Sequence, residues 1–261
     1  MQVVYLSHGG GPMPLLNDPG HRAMIDFMRE LPGRLKQPDV VIVVSAHWEE
    51  RVPTVLSAPY PPMYYDYYGF PPETYEVNYP APGDPQLAER IVNLLEQTHT
   101  SAQVDGQRGF DHGHFIPMML MYPAANIPTL QLSLVRGLDA EVHLELGKAL
   151  RSLRKENILV IGSGFSFHNM YGFDWHDIDR ADPKNEAFQD WLIERVSQEQ
   201  DVEKIWDSLL HWEQAPNARY CHPREEHLLP LHVCMALGNV PAQVVFDDKI
   251  LGKRCLGFLW E

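Results

Sequence analysis

With 261 residues, 44% of them apolar and 10% aromatic, the chain has enough material for a large hydrophobic core. A formal net charge of −14 and the lack of any Lys/Arg cluster argue against a nucleic-acid or anionic-membrane partner, since both need a basic patch. The three cysteines (Cys221, Cys234 and Cys255) form no Cys-x-x-Cys pair, which fits a reduced cytoplasmic protein better than a disulfide scaffold or a thiolate metal site. No apolar run approaches membrane-spanning length, and the first residues show no signal-peptide pattern.

In chain order, β-branched runs predict strands over residues 3–6, 40–44, 129–134, 158–161 and 243–246, with a final apolar segment over 255–260. The 40–44 and 158–161 runs are continuously apolar, as in strands covered on both faces. Apolar residues at helical spacing predict helices over 21–31, 84–96, 140–153 and 185–196. Strands alternating with helices imply an α/β fold, expected as one domain over 1–261 with a mostly parallel central sheet flanked by helices. The one compositional break is the proline- and tyrosine-rich stretch 58–85. It reads equally as the wall or lid of a site and as a rigid surface excursion or homo-oligomer contact.

The 13 histidines are informative by position. His8, His47 and His168 each follow a predicted parallel strand, at the carboxyl-end rim where open α/β sheets bind ligands. "GFDHGHF" places Asp111, His112 and His114 in a short glycine-flanked loop, and "CHPREEHLLPLH" places His222, Glu225, Glu226 and His227 around a helix start, with Pro223 suited to its first turn. His232 falls on the apolar stripe of that helix and reads as a core residue. His21, His99, His143, His176 and His211 lack suitable neighbours and read as structural. The remaining imidazoles, with acidic groups beside them, suit divalent iron, zinc, copper or nickel.

"LSHGGGP", residues 6–12, admits three readings. A dinucleotide fingerprint fails because the third glycine is missing, and no phosphate-binding G-x-x-x-x-G-K-[ST] occurs. An esterase oxyanion loop would need a G-x-S-x-G elbow, and neither Ser163 nor Ser166 supplies one. What stands is a metal ligand at His8, with Gly9–Gly11 expected to clear space for metal and substrate.

Six segments in order, "LSHGGGP", "VVSAHW", "YPAPGDP", "GFDHG", "GSGFSFHN" and "HPREEHLLPL", cover nearly the whole chain. Together they resemble the class III extradiol ring-cleavage dioxygenases, close to the DOPA 4,5-dioxygenase group within the superfamily of the protocatechuate 4,5-dioxygenase catalytic subunit. The resemblance implies a mononuclear non-haem Fe(II) site that uses dioxygen to open a catechol beside its hydroxyls, giving a semialdehyde product. By position it implies His8, His47 and His227 as metal ligands, His168 as the acid/base and His112, steered by Asp111, as a second histidine touching substrate or oxygen. The wider superfamily commonly uses a glutamate as third ligand, so His222, Glu225 and Glu226 stand as alternatives to His227. The competing chemistry is a zinc-dependent hydrolase on the same histidines; imidazole sites bind Zn(II) more tightly than Fe(II), so zinc found in purified protein need not be the catalytic metal.

Overall fold

The structure, a computed structural model, describes residues 1–173 and 181–261. His176 lies outside the described residues. Eight strands form one sheet: β1 (Gln2–Ser7), β2 (Val40–Glu50), β3 (Thr54–Leu56), β4 (Gln103–Asp105), β5 (Thr129–Val135), β6 (Ile158–Gly164), β7 (Gln243–Ile250) and β8 (Lys253–Trp260). Their spatial order is β4-β3-β5-β2-β6-β1-β8-β7. The central four, β5, β2, β6 and β1, are parallel, whereas β8 joins β1 and β3 joins β5 in antiparallel fashion. The central strands are buried on both faces, which is why their sequences read as unbroken apolar runs.

The helices are α1 (Arg22–Glu30), α2 (Pro85–Gln97), α3 (His112–Met121), α4 (Ala140–Ala149), α5 (Pro183–Leu192), α6 (Val202–Leu210), α7 (Ala218–Cys221) and α8 (Leu229–Gly238). Asp84, Asp111, Asp139, Asp182 and Asp201 each accept a backbone N–H at the start of α2 to α6, a satisfied N-cap in every case.

Alternate residues of β6 show how the two layers are arranged. Ser163 Oγ donates to the Gly113 carbonyl of α3, while its neighbours Gly162 and Gly164 abut Pro230 of α8 and the His227 carbonyl. Successive side chains of a strand point to opposite faces, so α3 and α8 cover opposite sides of the sheet. Both start near the carboxyl ends of the parallel strands.

Three expectations need correction. His47 does not follow its strand but lies within it: β2 continues past the expected 40–44 to Glu50, and five residues of it (44 to 49) pass while β5 advances two (132 to 134), so His47 sits in a bulge. "DHGHF" is not a loop either but the start of α3, which is buried almost all round and contains Pro117, so it shows no amphipathic period. Finally, the last long helix begins at Leu229 with Pro230 in its first turn, and Pro223 lies in the preceding turn segment. All ten residues of that helix are buried, so it has no apolar stripe; His232 bonds the Leu209 carbonyl within the core.

Candidate active site

Three imidazoles meet at the carboxyl ends of β1, β2 and β6. His8 leaves the end of β1, its N–H held by the Gly164 carbonyl at 3.1 Å. His47 projects from the β2 bulge, and His227 comes from the turn before α8, where its carbonyl accepts from Tyr5 Oη and Phe165 N, both at 3.0 Å. His47 Nε2 lies 2.9 Å from His8 Nε2 and 3.2 Å from His227 Nε2.

These contacts are not ordinary hydrogen bonds. Ser163 Oγ spends its proton on the Gly113 carbonyl, so it accepts from His8 Nδ1–H at 3.0 Å. His227 Nδ1–H donates to Glu226 Oε1 at 2.9 Å. Both rings therefore present unprotonated Nε2 lone pairs toward His47. Burial first, and then the neighbouring imidazoles, hold His8 and His227 well below the usual histidine pKa; His47 is lowered by burial, then by His112, against the opposing pull of Asp66. Neutral nitrogens converging at such distances fit donors sharing one metal ion, with bonds of about 2.1 Å.

Two more histidines flank the cluster. The His168 ring stacks on His227, with centroids 3.4 Å apart and planes 17° from parallel, and its Nδ1 lies 3.2 Å from Glu226 Oε1. His112, the first residue of α3, has its ring centroid 3.8 Å from that of His47. Its Nδ1–H and backbone N–H both donate to Asp66 Oδ1, at 2.8 and 3.0 Å, and Asp66 Oδ2 lies 3.6 Å from His47 Nδ1.

Asp66 is the residue that reading the sequence missed. Its one signal is that it is the only acidic residue in the aromatic run "MYYDYYGF". The contact with the His112 ring that was expected of Asp111 is made by Asp66. Asp111 instead caps α3, accepts from Ser45 Oγ at 2.8 Å and from Gln131 Nε2, and pairs with Arg108 at 2.9 Å. The stretch 58–85 thus walls the histidine cluster, with the Tyr67 ring edge-on to His112 at 6.0 Å. Its tyrosine hydroxyls stiffen it: Tyr65 donates to the Val77 carbonyl, Tyr67 to that of Thr74 and Tyr79 to that of Tyr122.

Other candidates lie elsewhere. His114 is buried against Phe110, its Nε2 2.9 Å from Thr129 Oγ1. His222 Nε2–H donates to the Ser166 carbonyl at 2.9 Å, between Phe188 and Trp212, and Glu225 pairs with Arg219 at 2.5 Å. Of the four residues considered for the third position, only His227 brings a nitrogen to His47. Gly9–Gly11 do not clear space for a metal. A side chain at Gly9, whose φ is +86°, would strike His21 and Pro14, and one at Gly11 would press on Phe70. His21 Nε2 accepts the Gly10 N–H at 2.9 Å, so this histidine fastens the loop. Ser163 and Ser166 are buried with their hydroxyls engaged, and neither is an exposed nucleophile.

Residues 2–252 match the family described as the catalytic LigB subunit of aromatic ring-opening dioxygenase. The chain belongs to this family. The dioxygenase is 37% identical to the 4,5-DOPA dioxygenase extradiol of Beta vulgaris, over 95% of its own length and 91% of that protein. It is 39% identical to dioxygenase tasH of Hapsidospora irregularis, over 99% of this chain and 85% of the relative. A crystal structure of an uncharacterized Escherichia coli K12 protein superposes with a TM-score of 0.80 at 29% identity, each chain covered completely. The dioxygenase is thus an extradiol ring-cleavage oxidoreductase acting on a catechol. Among the described residues, no helix is long and apolar enough to cross a membrane.

Proposed function

We propose that the dioxygenase opens a catechol carrying a DOPA-like side chain, using Fe(II) held by His8, His47 and His227, within a single catalytic domain spanning 1–261. The convergence of the His8, His47 and His227 Nε2 atoms, the first and last of these rings buried, carries this reading. The 4,5-DOPA dioxygenases of Beta vulgaris and Escherichia coli K12, the latter 34% identical over 88% of this chain, support the substrate class.

His8, His47 and His227 would hold the Fe(II), which would supply Lewis-acid and redox chemistry toward the catechol and dioxygen. The protein's own groups handle protons and orientation. His168, beside His227, takes a proton from a catechol hydroxyl and returns it as the ring opens. His112, anchored on Asp66, offers its other nitrogen to substrate or oxygen. Tyr67 and the stiffened 58–85 segment limit the access of water to that side of the cluster.

The test is oxygen uptake by protein reconstituted anaerobically with Fe(II), across a panel of catechols with product spectra. Uptake with formation of a semialdehyde-type product is expected, fastest with DOPA-like substrates. No uptake with any catechol would reject the reading. Zinc in the protein as purified would say nothing against it, because imidazole sites favour zinc over Fe(II).

A further inference from the structure

One oxygen of Glu226 serves two histidines. Its Oε1 lies 2.9 Å from Nδ1 of His227 and 3.2 Å from Nδ1 of His168, and the two rings are stacked against each other. Had either ring carried its proton on Nε2 instead, an Nδ1 lone pair would face a carboxylate oxygen at close range in a buried site. Repulsion between that lone pair and the carboxylate oxygen disfavours that tautomer. A carboxylate oxygen has room for two donors, so one atom suffices to set both rings.

A cation stands beside the other oxygen of this carboxylate, which accepts no hydrogen bond among the described residues. Arg224 binds Glu49 through two contacts of 2.7 Å and brings its Nη1 to 3.5 Å from Glu226 Oε2. The backbone around Glu226 is fixed, because the Glu225 carbonyl accepts from both Leu228 N and Leu229 N.

We propose that Glu226 is a positioning residue that sets His227 and His168 together, fixing both as Nδ1–H tautomers so that one Nε2 donates to the metal and the other accepts the substrate proton. The inference rests on the roles given to these two histidines above. A proton taken up at His168 Nε2 leaves an imidazolium whose Nδ1–H stays on Glu226, and the same proton leaves from Nε2 when the ring opens, so no net proton is stored.

The experiment uses the full chain loaded with zinc alone and labelled with 15N in its histidines. Long-range 1H–15N correlations report the tautomer of each ring, and the His168→Asn variant identifies the His168 signals. His168 is expected to be protonated at Nδ1 and bare at Nε2; the reverse pattern overturns the proposal. Since the measurement needs no turnover, its failure is separable from an absence of dioxygenase activity. In Glu226→Gln, measured with Fe(II) at saturation, kcat should fall roughly 100-fold with KM nearly unchanged, the scale of a displaced general acid–base group, and His168 should show mixed tautomers. If activity per bound metal instead equals that of the wild type, Glu226 acts through His227 alone and the proposal fails. Should that variant not fold, the tautomer of the wild-type ring still decides the matter.

Discussion

Asp66 Oδ1 accepts both the Nδ1–H and the backbone N–H of His112, at 2.8 and 3.0 Å, across 46 residues of sequence. Burial works against ionisation of Asp66, yet hydrogen bonds and charge from His112, with further charge from His47, hold its pKa below the usual carboxylate range. Asp66→Ala should therefore release the His112 ring and lower kcat by roughly tenfold to 100-fold, while weakening metal binding less than His47→Ala does. Steady-state oxygen uptake together with metal content checks this. Full turnover would mean that His112 needs no anchor.

Metal content separates the histidines. After Fe(II) reconstitution, elemental analysis should find His8→Ala, His47→Ala and His227→Ala each largely depleted. His168→Ala should keep its metal while losing turnover. His222→Ala and Glu225→Gln should also keep theirs, because neither side chain reaches the cluster. Undiminished metal in any of the first three variants would remove that residue from the ligand set.

A backbone contact offers a subtler lever. The α-carbon of Gly164 packs against the carbonyl of His227, where an added methyl would overlap that oxygen and press on Tyr5. Gly164→Ala should shift the turn carrying His227, costing about 1–3 kcal/mol of stability and at least about tenfold in metal affinity. Metal titration followed by thermal unfolding would show both, and wild-type affinity would count against the coupling.

Asp111 is expected to matter for stability. Fully buried, it joins Ser45 on β2, Gln131 on β5, Arg108 and the first turn of α3. Asp111→Ala leaves a half-buried guanidinium unpaired and the α3 start uncapped, a loss of about 3–5 kcal/mol on the scale of broken buried ion pairs. At about 2–4 °C per kcal/mol for a chain of this size, Tm should fall by roughly 10 °C. A shift of only a degree or two would contradict this.

Burial, the dominant cause in each case, pulls the pKa of His114 and His222 down to about 3 and that of His232 to about 4. The unfolded chain takes up protons on these rings as pH drops through about 6.5, whereas the folded chain does not until far lower. The unfolded state thus binds more protons, and stability falls with falling pH, by up to about 1.4 kcal/mol per pH unit for each ring. In metal-free protein the effect is absent above neutrality and grows between pH 6.5 and 5. Denaturant unfolding across that window measures it; a flat profile would mean that the rings protonate in place.

Much of the fold could be read from the sequence. Runs such as "VVIVV" and "ILVIG", short, β-branched and continuously apolar, read as buried strands, and aspartates before "PQLAERIV" and "AEVHLELG" mark helix starts. The elements that escaped it lack a pattern. Helices α3 and α8 are buried almost all round, so no polar face sets a period, and the β2 bulge depends on its pairing with β5.

For the site, the sequence by itself determined the residue types and their order: histidines after strands, beside glycines and acidic residues, in six segments that resemble one family. Only the tertiary structure decided which nitrogens meet. His8, His47 and His227 are separated by 39 and 180 residues, and the sheet joins them because β1 and β2 both pair with β6 in parallel while the turn before α8 docks on that strand's end. The partners of these rings were equally out of reach. Asp66, Ser163 and Glu226 act through hydrogen bonds whose direction depends on where each proton goes, and that follows from neighbours in space rather than in sequence.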